Sequence, residues 1–182
     1  MTQLVFFLEE PSAKEMLKGI LPRIISENVL VKYVVFQGKQ DLEKRLPIRL
    51  RAWQYPNAKF VVMRDKDNGD CIKIKNALRE KCVQSGKPNT LIRIACHELE
   101  SFYLGDLLAV QDSIGPNNIS QLQYKAKYRN PDVLANASQE LKKISPDYQK
   151  VSGSRAIGVL LNIENNTSNS FNSLIAGIKN LI

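Results

Sequence analysis

Lys59-Phe-Val-Val-Met-Arg-Asp65-Lys-Asp67-Asn-Gly-Asp70 drives a short apolar run straight into a cluster of carboxylates. Read as a strand, the run has period two, so Asp65 and Asp67 are expected on the same side of the backbone where the strand ends. Two anions held that close repel unless a cation lies between them. Mg²⁺ or Mn²⁺ suits the position: such ions take oxygen ligands, and magnesium is commonly held by one or two carboxylates while phosphate and water complete its shell. The competing reading is an ordinary polar turn at Asn68-Gly69. Asp70 is placed to cap a helix starting near Cys71.

Outward from this stretch the chain repeats the same design. Leu4 to Leu8 is continuously apolar and ends at Glu9 and Glu10; Thr90 to Ala95 is a further strand that runs into Glu98 and Glu100. Val29 to Phe36, rich in β-branched residues, supplies another. Between the strands, Met16, Leu17, Ile20, Leu21, Ile24 and Ile25 recur at helical spacing, with Gly19 and Pro22 expected to weaken or kink that helix. A basic helix after Gly38 carries Lys44, Arg45, Arg49 and Arg51, is interrupted by Pro47 and closes near Trp53. In the helix after Asp70, Ile72, Ile74, Ala77, Leu78 and Cys82 are expected to line one side. Alternation of strand and helix predicts an α/β fold with a mainly parallel central sheet of about four strands flanked by helices. In such sheets ligands bind beyond the carboxyl ends of the strands, where Glu9, Asp65 and Glu98 or Glu100 are expected to converge.

The reading takes residues 1–182 as one domain, an α/β core over 1–106 and a basic extension over 107–182 that packs back on it. Within the extension polar loops and short helical stretches are expected, ending in an amphipathic helix over Ser170 to Ile182. A formal charge of +8 and a pI near 9.4 suit a protein that approaches a polyanion, nucleic acid above all. The segment Lys150-Val-Ser152-Gly-Ser154-Arg155 sets two cations and two hydroxyls around a glycine, a loop chemistry suited to a backbone phosphate. Arg129 belongs to the same basic stretch. Trp53 and Tyr55 are either stacking platforms for bases or boundary aromatics. Cys71, Cys82 and Cys96 match no zinc spacing with the single histidine, His97, and a reducing cytoplasm fits three unpaired thiols. His97 itself is either a general base or structural. No apolar run reaches the roughly 20 residues of a membrane span.

A strand ending in glutamate and followed by a helix, with a later strand ending in Asp-x-Asp, resembles the Toprim fold of topoisomerases, primases and overcoming-lysogenization-defect nucleases. Here these are Glu9, in Phe6-Phe7-Leu8-Glu9-Glu10-Pro11-Ser12, and the pair Asp65 and Asp67. Glu10 stands where a glycine commonly follows, and Glu9 is preferred because it directly follows the strand. A longer set of motifs resembles the bacterial family catalogued as domain of unknown function 4276. It comprises Leu8 to Ala13, Asp65-x-Asp67 with Asp70-Cys71, Ile94 to Asp106, Arg129-Asn130-Pro131-Asp132 and Tyr148 to Gly153. The resemblance implies a small nuclease-like partner of an ATPase, of the kind encoded in phage-defence regions.

Three functions follow as expectations. The first is a Mg²⁺- or Mn²⁺-dependent phosphodiesterase acting on DNA or RNA. In it Glu9, Asp65 and Asp67 hold metal, Glu10 or Glu100 acts as base or second-metal ligand, and Lys150, Ser152, Ser154, Arg155 and Arg129 position the strand. The second is a non-catalytic module that binds nucleic acid or docks on an ATPase. The third, a haloacid-dehalogenase-like phosphatase, is disfavoured because Asp65-x-Asp67 lies on the third strand and no downstream lysine and acidic pair can be placed.

Overall fold

The Leu4–Leu8 run carries apolar side chains on both sides of its backbone and so needs cover on both. In the computed structural model, which describes residues 1–182, it lies in β1 (Thr2–Leu8), an interior strand. The other strands are β2 (Val29–Val35), β3 (Ala58–Asp65) and β4 (Leu91–Ala95), in the order β2-β1-β3-β4 with every pair parallel. Leu8 stands opposite Val35 and Met63, and Asp65 opposite Ala95. The carboxyl ends of β1, β3 and β4 therefore meet at one edge.

Alternation along β1 feeds two cores. Leu4, Phe6 and Leu8 enter a core of 29 buried residues shared with α1 (Pro11–Ile20) and the helices after β4. Val5 and Phe7 enter a smaller one beneath α2 (Lys39–Ala52) and α3 (Cys71–Gln84). Each such side chain contributes about 1.5–3 kcal/mol on burial. After β4 come α4 (Glu100–Leu104), α5 (Leu107–Ser113), α6 (Ala126–Arg129), α7 (Ala137–Ile144), α8 (Lys150–Leu160) and α9 (Asn169–Leu181). The 107–182 segment is thus a series of short helices joined by loops, with α9 in the place of the expected amphipathic helix.

Local expectations are corrected at several points. Pro47 does not interrupt α2. A proline removes one backbone donor and crowds the carbonyl four residues back, but Leu42, Leu46 and Leu50, all fully buried, clamp the helix to the sheet on either side of it. In α3, Ile72 is 71% exposed and Ala77 faces solvent; the buried stripe is Leu78 and Cys82. Gly19 is not a weak point of α1. A Cβ there would come within 2.5 Å of the Gly158 backbone, and one at Gly158 within 2.7 Å of the Met16 carbonyl. The two glycines let α1 and α8 cross at backbone contact. Arg23 then closes the crossing by donating to the carbonyls of Gly158 (2.8 Å) and Leu161 (2.7 Å) at the end of α8.

Candidate active site

Glu9 leaves β1 at the shared carboxyl edge, and its Oε2 accepts the backbone N–H of Asp65 at 3.0 Å. Asp65, the last residue of β3, lies close enough to Glu9 and Glu100 for their charges to act on it. Burial first, then those two negative charges, hold its carboxyl well above the ordinary aspartate range, partly offset by the Leu99 amide. Burial likewise raises Glu9, with the Asp65 amide and Arg64 opposing. Glu100, only 1% exposed, opens α4; its Oε1 accepts the Tyr148 hydroxyl at 2.9 Å while its Oε2 is buried without any partner. Burial raises Glu100 too, and nearby Lys150 opposes.

Lys150 arrives from the start of α8, where its Nζ donates to Glu10 Oε2 at 2.8 Å. Burial lowers the lysine, but the bond to Glu10 and the charges of Glu100, Glu10 and Asp65 win, and its pKa is raised. Tyr148 stacks edge-on to Tyr103 at 6.2 Å, and burial, Tyr103 and Glu100 push its phenol far up, so it is a fixed hydrogen-bond donor to Glu100.

The expected shared face of Asp65 and Asp67 is corrected. Asp67 has φ +52°, so strand period ends at Asp65 and the next carboxylate turns outward to Lys39 Nζ at 2.7 Å. Asp70 caps α3 through the Lys73 amide. Glu98 leaves the cluster to accept the Ser138 amide of α7 at 2.7 Å, which leaves Glu100 as the acid that β4 supplies.

The Lys150–Arg155 segment is corrected from loop to helix. Ser154 is fully buried and accepts from the Tyr103 hydroxyl at 2.7 Å, so it cannot hold a phosphate. Arg155 is tied to Glu15 of α1 at 2.7 Å. Ser152 remains exposed on α8, two residues after Lys150 and so on a different face of the helix. Arg129 bonds the Tyr124 carbonyl and makes no hydrogen bond or ion pair with the cluster. His97, at φ +60°, holds the Asp67 amide through its carbonyl at 2.7 Å and lies 3.4 Å from Lys66 Nζ. Tyr148, Tyr103 and Lys39 were missed as site residues. Tyr103 and Tyr148 had a signal in the motifs Ile94 to Asp106 and Tyr148 to Gly153, and Lys39 had only its position immediately after Gly38.

A crevice of about 10 Å³ separates Glu9, Glu10, Asp65 and Leu99, room for about one water or one small ion. The carboxylates of Glu9, Glu10 and Asp65 that line it are the donors a hard divalent cation takes, and the unpartnered Glu100 oxygen lies outside the lining. No three His, Cys, Asp or Glu side chains are grouped as a ready metal site; Glu10 is turned to Lys150 and Asp67 to Lys39.

The chain is similar to the C-terminal region of the Burkholderia pseudomallei OLD protein, with a TM-score of 0.57 and 14% identity over 97% of each chain. That likeness shows a Toprim-like α/β fold. No curated protein matches the chain. The family model described as domain of unknown function (DUF4276) matches residues 8–179, nearly the whole length, and the chain belongs to that family.

Proposed function

We propose that this protein is a metal-dependent nuclease that hydrolyses phosphodiester bonds of DNA or RNA with Mg²⁺ or Mn²⁺, acting as an effector or partner of an ATPase in bacterial phage defence. The observation that carries the reading is the meeting of half-buried Asp65 and Glu9, joined by the Asp65 amide on Glu9 Oε2, with buried Glu100 at the carboxyl edge of a parallel sheet. Glu9, Asp65 and Glu100 would hold the ion, with Glu10 and Asp67 joining once released from Lys150 and Lys39. When bound, it supplies Lewis-acid polarisation of the phosphate and a lowered pKa for an attacking water. Lys150, kept charged by its acidic neighbours, would bind a non-bridging phosphate oxygen. Tyr148 keeps Glu100 oriented towards the cluster.

A second reading, a non-catalytic nucleic-acid-binding or ATPase-docking module, is favoured by the internal ion pairs Lys150–Glu10 and Lys39–Asp67, which already compensate two of the acids. Wild type, Asp65→Asn and Glu9→Gln are compared on plasmid and single strands in Mn²⁺, with and without any ATPase encoded beside the protein. Wild type should cut, and each variant should lose at least about a hundredfold. Mn²⁺ at a hundred times its Kd should stabilise wild type by about 2.7 kcal/mol and leave Asp65→Asn unmoved. Metal-free Asp65→Asn should melt no lower than wild type, since it removes a buried charge. Equal cleavage by all three, or none by wild type under any condition, leaves the binding module.

A further inference from the structure

We infer that the groove at the amino ends of β1, β3 and β4 binds unpaired nucleotides of a single-stranded nucleic acid, with Trp53 and Tyr55 as stacking platforms and Arg51, Lys59 and Lys87 on the phosphates. The inference rests on the nucleic-acid half of the proposed function and is independent of the metal. The groove holds about 400 Å³, within the range of small-ligand sites and large enough for a nucleotide. It lies at the opposite end of β3 from Asp65, with Ala58 seven residues away, roughly 23 Å at strand rise. It is therefore a site separate from the acidic cluster.

Its chemistry is one-sided. Three cations line it and no Asp or Glu does. None of the three makes an ion pair, whereas at the carboxyl edge Lys39 and Lys150 each hold an acid. Lys44 and Arg49 extend the unpaired charge along the exposed side of α2 towards the other edge. The aromatic groups are fixed in place. Trp53 Nε1 donates to Gln3 Oε1 at 2.7 Å, and the Tyr55 hydroxyl donates to the Met1 carbonyl at 3.1 Å. Their polar ends are thus occupied, and Tyr55 stays 39% exposed. Lys87 Nζ sits 5.4 Å above the Phe60 ring, held at the groove rather than swinging in solvent. Rigid rings interleaved with free cations suit bases and backbone together, and a base offers its face only where it is unstacked. An acidic peptide would use the cations and leave the rings idle.

Trp53 is the only tryptophan in the chain, so its fluorescence reports on the groove directly. A short oligothymidylate, titrated in EDTA so that nothing is cut, should quench it saturably. Tyr55→Ala should weaken binding about fivefold or more, and Tyr55→Phe should restore it. Arg51→Gln with Lys59→Gln and Lys87→Gln, at unchanged circular dichroism, should weaken binding and flatten the salt slope by about 2, at roughly 0.7 per phosphate contact on a single strand. Asp65→Asn should bind as wild type, so that loss of cutting and loss of groove binding are scored separately. Three outcomes overturn the inference: an unquenched Trp53, binding untouched by the triple substitution, or equally tight quenching by polyglutamate, which would make the groove a site for acidic peptides.

Discussion

Glu15 is buried on α1, and its carboxylate is held below the ordinary range first by the bond from Arg155 and then by Lys18. A depressed folded pKa means the unfolded chain binds the extra proton. The stabilisation is therefore present above about pH 4.5, the ordinary value, and is lost as pH falls through the folded pKa. Asp65, Glu9 and Glu100 act in the opposite sense: their raised values return stability as they protonate on acidification. Arg155→Gln separates the two. The stability gap between wild type and Arg155→Gln, from denaturant melts, should be largest near neutrality and shrink below about pH 4.5; a constant gap would show that Arg155 acts by packing alone. At this scale Glu9 and Asp65 were legible because an apolar strand ending in an acid announces its own edge, whereas the choice between Glu98 and Glu100 stayed open because both lie beyond the end of β4. Asp67 was not legible, because a left-handed backbone cancels strand period. Neither was the fate of Arg155, whose partner lies 140 residues away.

The crossing of α1 and α8 is the element that brings Lys150 to the acids, because α1 begins at the residue after Glu10 and α8 begins at Lys150. Gly19→Ala places a methyl against backbone, which cannot rotate away, so the helices must separate. Overpacking of this kind costs about 1–3 kcal/mol, and thermal melts should show it. In addition, the Lys150–Glu10 pair should loosen, so cleavage or metal affinity should change by more than stability alone explains. Gly158→Ala should behave alike, and if both variants melt as wild type the close crossing is wrong. All four strands were readable as short apolar runs and the first three helices as the stretches between them, α1 alone by its apolar period, while the stripe read in α3 was wrong at Ile72 and Ala77. Pro47 misled because tertiary anchoring by Leu42, Leu46 and Leu50 outweighs a local penalty, and Gly19 misled because glycine marks both weakness and close approach. The helical start at Lys150 was hidden by a Ser-Gly-Ser composition that also suits a loop.

For the molecule as a whole, the basic character of residues 107–182 is largely internal. Lys127 and Lys143 meet Glu140, Lys150 meets Glu10 and Arg155 meets Glu15, so much of the segment's charge goes to assembly, while Lys125 and Arg129 stay exposed without an ion pair. Burial makes the same point. Of the 29 residues in the larger core, 14 lie beyond Asp106, among them Tyr148, Ile157, Phe171 and Ile178. Without them only α1 and the short α4 would remain over Leu4, Phe6, Leu8, Val61 and Met63 on that side of the sheet. Each buried apolar side chain is worth about 1.5–3 kcal/mol, and total stability of a domain is about 5–15 kcal/mol, so the loss far exceeds what the first half can hold alone. A chain ending at Asp106 should therefore be insoluble or fail to melt cooperatively. Supplying residues 107–182 as a separate chain should restore a cooperative transition only if both halves refold together. If residues 1–106 alone give a sharp transition and bind Mn²⁺, the acidic cluster needs neither Lys150 nor Tyr148, and the role assigned to α8 falls with it.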